Sequence, residues 1–320
     1  MKLQTDSPPV SDNTDALREE RLPVFQQSWW LNAVCGIQGW EACTLLESDR
    51  AAPLVWPVFR KKFGPFQYLT LPLFTQKLSW EWNPAADYRY TGFFEQNPRA
   101  VMLRLGLPDT YGNRQLLEQW GFEWQKAFTY QALVPTHPED AWKRISPTAR
   151  ARIRKAASKL TVRLDNNADK LYQLVSKSHH RHGIGTGFKA ATCARIVQAC
   201  TERNQGGIYT AEDAKGRVHA VALVVWDQQC MYYLLAGMDE NIAQTGGARL
   251  LIWHTMQLAF SKNLSYDFHG GMAPSIGSVY ASMGGSPSYY LRATRYRPTF
   301  LKKLITTAKY LYAPNDRLFH

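Results

Sequence analysis

The segment "CMYYLLAGMDENIAQTGGARLLIW", Cys230 to Trp253, decides how the rest of the chain is read. An apolar run of strand length comes first, a polar link follows, and a pair of glycines stands directly before an apolar run of helix length. This order of strand, turn and helix puts Gly246 and Gly247 where bare amides at a helix start point outward and the helix dipole favours an anion. Glycine pairs also precede helices simply to make the turn. Two readings therefore stand side by side: a plain turn, or a grip on a phosphate in which Ala248 adds little bulk and Arg249 adds charge.

The flanking sequence extends the pattern. Upstream, "IYTAED", "VHAVALVVWD" and "CMYYLLAG" are three strand candidates joined by the turns "AKGR" and "DQQ", an antiparallel meander. Before them, "PEDAWKRISPTARARIRKAASKL" is helical, with Ser146 as N-cap and Pro147 at the first helical position of its second part. "TVRLD" is a short strand, and "NADKLYQLVSKSHHRHG" and "FKAATCARIVQACTERNQGG" are helices stopped at glycine. Downstream come a strand "LSYDF", a short helix "APSIGSVYASMGG" and a closing strand "PSYYLRAT". The first half carries a short helix from Ser28, a strand hairpin made by "WEACTLLES" and "APLVWPVFR", further extended runs, and the helix "NRQLLEQWG" ending at Gly121 before the strand "FTYQALVP". The expected division is an arm over residues 1–20, an N-terminal domain over 21–137, a C-terminal domain over 138–297 and a basic amphipathic helix or tail over 298–320.

Charge limits the partners. The chain has 320 residues, 38 Lys and Arg against 26 Asp and Glu, and a net charge of +12, so an anionic partner is expected: a nucleotide, an RNA or an acidic membrane surface. Eight of the cations, from Lys143 to Arg163, lie in one stretch without an acid. On a helix from Pro147, Ala149, Ile153, Ala156 and Leu160 make an apolar stripe, leaving Arg150 with Arg154 and Arg152 with Lys155 as same-face pairs that an anion relieves. A solvated face is the alternative for such a run.

The five cysteines are odd in number and form no C-x-x-C pair, which argues against a disulfide framework or structural zinc and suits a reducing cytosol. No segment reaches the roughly 18 uninterrupted apolar residues of a spanning helix. A soluble, cytoplasmic protein is expected, with peripheral contact at the inner face of a membrane through "RPTFLKKLITTAKYLY" as one further use of its basic tail. His179 and His182 have no acid or cysteine at ligand spacing, so no metal is expected.

In "SYDFHGG", Asp267 and His269 end a strand beside two glycines, a pairing able to activate an amine or hydroxyl; Asp267 as a cap of the following loop is the other reading. Tyr232, Tyr233 and Tyr280 offer phenols for proton donation or for sheet packing.

Taken together, "RARIRKA", the meander, "YYLLAGMDENIAQTGGARLLIWHTMQLAFSK", "YDFHGG" and "SIGSVYASMGGSPSYY" resemble the Fem-type branch of the GNAT acyltransferase superfamily, which holds peptidoglycan-bridge aminoacyltransferases and bacterial GNAT acetyltransferases. The resemblance reaches "LPLFTQKLS" in the first half. It implies an α/β (α+β) fold of two GNAT-like domains, each a mixed, mostly antiparallel central sheet flanked by helices. It also implies a donor grip through a Q/R-x-x-G-x-G/A turn. Gly246 and Ala248 match its last two positions with Ala243 at the first; moved by one residue, Gln244 and Gly247 match and Arg249 takes the small position. The family's DF-x-G is present as Asp267, Phe268 and Gly270, while Ala281 stands where bridge-forming relatives often carry lysine.

The function so implied is transfer of an acyl group from acyl-CoA, acetyl-CoA foremost, to an amine or hydroxyl of an anionic, cell-envelope acceptor. Gln244, Gly246, Gly247, Ala248 and Arg249, with Tyr233 on the strand that leads to them, form the donor set. Arg150, Arg154 and Lys155 neutralise donor or acceptor phosphates, and Asp267, His269 and Tyr280 form the acid-base set. An aminoacyl-tRNA donor is the alternative within the fold. A non-catalytic RNA-binding or membrane-surface protein is the alternative outside enzymology.

Overall fold

The computed structural model describes residues 2–4, 20–35, 40–47, 54–78, 97–181 and 185–299. Residues 5–19 of the expected arm, His182, and the expected C-terminal helix from Phe300 onward lie outside the described residues. In chain order the regular elements are β1 (Lys2–Gln4), α1 (Ser28–Val34), β2 (Trp40–Glu47), β3 (Leu54–Phe63), β4 (Phe66–Thr70), β5 (Ala100–Pro108), α2 (Tyr111–Gln119) and β6 (Glu123–Ala132). There follow α3 (Pro138–Arg144), α4 (Pro147–Ala157), β7 (Leu160–Leu164), α5 (Ala168–Arg181), α6 (Ala190–Glu202), β8 (Gly206–Asp213), β9 (Val218–Trp226), β10 (Cys230–Met238), α7 (Gly247–Ser261), β11 (Ser265–Asp267), α8 (Pro274–Ser282) and β12 (Ser286–Tyr296). Two compact units result, one running to Ala127 and taking in the chain again from Tyr289, the other Phe128–Ser288.

In the first unit the strands follow the order β1, β2, β3, β4, β5, β12, antiparallel except where β4 runs parallel to β5. Its core joins Leu69, Leu103, Leu105 and Leu107 on the strands to Leu116, Leu117 and Trp120 on α2. Thr110 caps α2 by accepting from the Asn113 amide at 3.2 Å, and Gly121, at φ +67°, closes its end as the Phe122 amide reaches the Leu117 carbonyl. At α1 the cap is Gln27 rather than Ser28, because the buried Gln27 side chain is engaged with Leu22 and Trp29 and its carbonyl accepts the first helical bond.

The second unit orders its strands β6, β11, β10, β9, β8, β7, again mostly antiparallel, with β10 and β11 as the parallel pair. In each unit the strands are thus mixed, mostly antiparallel and flanked by helices, the α/β architecture read from the sequence. Ser146 caps α4 through the Ala149 amide, and Ala149, Ile153 and Ala156 are buried against the first turns of α7, while Leu160 continues the stripe from β7.

One irregularity organises this sheet. The pairing of β10 with β9 slips between Tyr233 and Leu235, so that one residue is extra on β10. Before the slip Met231 and Tyr233 join the core beneath α7; after it Ala236 and Met238 do. The bulge has reversed the strand's alternation. Gly237 is consequently turned to the other face, where α5 crosses so close that a Cβ would lie 2.6 Å from the Leu174 carbonyl oxygen. Ser178 on the same helix donates no side-chain bulk there but accepts the Met238 amide at 3.2 Å.

Candidate functional site

The parallel pairing of β10 and β11 lasts for three residues, Cys230 with Ser265, Met231 with Tyr266 and Tyr232 with Asp267. There β11 ends, while β10 runs on to Met238 with its other edge still paired to β9. The bulge lies at the point of divergence, and a stretch of β10 backbone is opened on the β11 side. Beyond it, a 3-10 turn over Glu240–Thr245 leads into α7.

Gly246 is the N-cap of α7, at φ +83°, a conformation that glycine adopts without strain. A Cβ on it would stand 3.2 Å from the Arg152 carbonyl oxygen, so α4 forms one wall of the turn. Gly247 is buried, and a Cβ there would meet Ala220, His219 and Leu160 at 3.3 to 3.4 Å. Both glycines thus have conformational and packing reasons to be glycine. No side chain caps the helix, and its first backbone bond runs from Leu250 to Gly246, which leaves the amides of Gly247, Ala248 and Arg249 at the uncapped start.

Around that start the charge is positive. Arg249, half-buried, has its Nε enclosed without a hydrogen-bond partner; burial and the nearby Arg152 lower its pKa from the ordinary arginine value. Gln244 lies in the turn itself. Of the other predicted cations, Arg154 stacks over Trp142 at 5.5 Å, and Trp142 in turn stacks on Trp253 of α7 at 4.9 Å. Arg150 is half-buried and Lys155 exposed. Arg152, which the sequence shows only as one more cation, is the one that meets the turn.

A second constellation lies at the end of β11. Asp267 is 2% exposed, and its carboxylate accepts from the Thr129 hydroxyl at 2.6 Å, the Gln131 amide at 2.8 Å and the His269 backbone amide at 2.7 Å. Thr129 also accepts from the Gly270 amide at 3.0 Å. Together these bonds hold His269 in the left-handed region, φ +55°, with its ring edge-on to Tyr232 at 6.0 Å between centroids. Thr129 and Gln131 were not singled out in the sequence; two polar residues spaced by two in "FTYQALVP" were the available signal.

The remaining tyrosines stand on the opposite side of the sheet. Tyr280 packs on Phe268 at 4.7 Å and on Tyr130 at 6.2 Å, and burial, with Asp267 adding to it, pushes its hydroxyl up to about 12. Tyr233 is buried near Tyr266, and burial followed by the proximity of Tyr280 raises its pKa as well. The structure therefore brings Gly246, Gly247, Ala248 and Arg249 together, and Asp267 with His269, but sets Tyr233 and Tyr280 in an aromatic layer beneath. Among the described residues no three His, Cys, Asp or Glu side chains come together in a group able to hold a metal, and no helix is long and apolar enough to cross a membrane.

Residues 143–274 match the family model described as an acetyltransferase (GNAT) domain. Among solved structures, the chain is similar to the crystal structure of FemX at 12% identity and a TM-score of 0.70, covering 95% of this chain and 100% of that one. The structure of L-PGS from Bacillus licheniformis matches at 12% identity and TM-score 0.55, covering 97% and 98%. A tandem GNAT protein from the clavulanic acid biosynthesis pathway matches at 10% and 0.50, covering 84% and 94%. At these identities the likeness is one of fold, and it is to the Fem-type and tandem arrangement of GNAT domains. No curated protein matches the sequence.

Proposed function

We propose that the second unit, the part matched as a GNAT domain, is an acyltransferase that takes an acyl group from acyl-CoA and delivers it to an amine or hydroxyl of an anionic acceptor. The observation that carries this reading is the opened edge of β10, which ends at an uncapped helix start whose first turn carries Arg249. The extended amide-bearing pantetheine arm of coenzyme A pairs with an open strand edge, and the pyrophosphate of the coenzyme is met by the amides of Gly247, Ala248 and Arg249. The acceptor amine or hydroxyl attacks the thioester carbonyl, its proton passes to a base, the carbon–sulfur bond breaks, and the base returns that proton to the departing sulfur, which leaves as the thiol. His269 is the proposed base, positioned by Asp267, whose three donors fit a carboxylate that orients a loop rather than one that moves protons. Tyr280 and Tyr233 act in this proposal through the packing beneath the site.

Calorimetry with acetyl-CoA tests the donor. Binding that weakens with added salt, and by about ten- to a hundredfold further in Arg249→Gln, is the expected result, since a hydrogen bond to a charged group is worth about 1.5–3 kcal/mol. Absence of binding to the wild-type protein overturns the acyl-CoA reading. Substitution at Gly247 is a poorer probe, because any side chain there presses on Ala220, His219 and Leu160.

A second reading, with an aminoacyl-tRNA as donor, is favoured by one observation: the run of eight cations from Lys143 to Arg163 without an acid, part of which sits on α4 against the same turn. It predicts RNA binding that falls steeply with salt and no heat with acetyl-CoA.

A further inference from the structure

We propose that Thr245 is a further residue of the donor site and that His219 aims its hydroxyl, so that protonation of His219 turns a hydroxyl hydrogen outward to the anion at the start of α7. This rests on the donor reading above. His219 is the second residue of β9, is 5% exposed, and touches the donor link at three points. Its carbonyl accepts from the Asp239 amide at the head of the link, its Cβ flanks Gly247, and its Nδ1 lies 3.0 Å from the Thr245 hydroxyl.

The other ring nitrogen fixes the logic. Nε2 is 3.1 Å from Asp213, whose carboxylate also accepts from the Lys215 and Arg217 amides and from the Arg217 side chain. Burial works against ionisation of Asp213, but the hydrogen bonds from His219, Arg217 and Lys215 outweigh it and hold the carboxyl well below the usual range. An ionised carboxylate only accepts, so Nε2 carries a hydrogen whether the ring is neutral or charged. In the neutral ring Nδ1 is bare, and the Thr245 hydroxyl spends its hydrogen on it. In the charged ring Nδ1 donates to Thr245, and the hydroxyl hydrogen is released toward solvent. Thr245 is half-buried and immediately precedes Gly246, the N-cap of α7, and in this proposal the released hydrogen joins the amides at the helix start in meeting the anion.

The charged groups on the elements around the ring are Glu212 and Asp213 on β8, Lys215 and Arg217 in its hairpin, Asp239 in the link, Arg249 on α7 and Arg152 on α4. Among the described residues only Asp213 and Thr245 bond the ring nitrogens. Because the charged ring frees the Thr245 hydroxyl hydrogen for an anion, binding and protonation favour each other, as linkage requires.

The probe is dephospho-coenzyme A, whose pyrophosphate stays fully ionised between about pH 5.5 and 8, the range in which histidine titrates. Its affinity, measured by calorimetry, is expected to fall about fivefold across that range, the worth of one ordinary hydrogen bond. Thr245→Ser should keep the fall; Thr245→Val and His219→Gln should flatten it. An unchanged slope in Thr245→Val overturns the inference while leaving the donor site standing. No binding by any form overturns both. Nitrogen-detected NMR of the free protein tests it without a donor: the neutral His219 ring should carry its hydrogen on Nε2, and a hydrogen on Nδ1 overturns the inference.

Discussion

Replacing Gly237 with alanine is expected to destabilise the second unit by about 3 kcal/mol, seen as a fall of roughly 10 °C in its melting temperature. The atoms that a Cβ would meet are backbone atoms of Leu174 and Val175 in the middle of α5, and backbone cannot step aside as a flexible side chain can. α5 is held in place on both sides of the contact, by the buried Leu171 and Leu174 and by the Ser178 hydroxyl at Met238. Relief would require lifting the helix from the sheet. Gly216, at the β8–β9 turn, has open space around its Cβ position but a φ of +74°, so alanine there should cost only about 1 kcal/mol and serves as the comparison. Equal melting temperatures for the two variants would show that α5 does not sit as close to β10 as described.

The second large effect is expected at Asp267. Alanine there strands the Gln131 amide and the His269 N–H and leaves the Thr129 hydroxyl to the Gly270 carbonyl at 3.4 Å. Leaving buried polar groups unpaired costs about 1–3 kcal/mol each, partly recovered as water enters, so a loss of about 3 kcal/mol is expected by denaturant titration. Asparagine should cost about 1 kcal/mol, because the Gln131 side-chain amide can turn its oxygen to the new NH2 group. On the proposed function the alanine variant also loses at least a hundredfold in turnover, since the His269 loop is no longer held. Asparagine should lose far less. Full turnover in a folded alanine variant would remove both Asp267 and its loop from the chemistry.

The sequence carried the fold because the periods were clean. From residue 138 onward helical stripes such as Ala149, Ile153 and Ala156, and the meander from "IYTAED" to "CMYYLLAG", appear as α4 and as β8 to β10. What the sequence hid was the face of each β10 residue. "MYYLLA" is apolar throughout, so alternation gives no signal, and the extra residue that reverses it leaves no mark. Of the two readings of Tyr233, sheet packing is the one the structure shows, while which of its neighbours share that face was not readable. The side-chain partners of Asp267, Thr129 and Gln131, lie more than 130 residues away in the chain, and the link of His219 to Thr245 spans two strands and a turn, distances over which local pattern is silent. Arg152 looked like its neighbours; its carbonyl against Gly246 is a fact of helix packing, not of composition.

The divergence of β10 from β11 has a consequence for hydrogen exchange. Along β10 past Tyr232, amides aimed at β9 stay in the ladder, whereas those aimed the other way have lost their strand partner, apart from Met238 at Ser178. Protection should alternate from residue to residue within one strand of a stable core. A donor lying along that edge would make the protection uniform, so occupancy becomes readable amide by amide, in the absence of acceptor and without a single turnover.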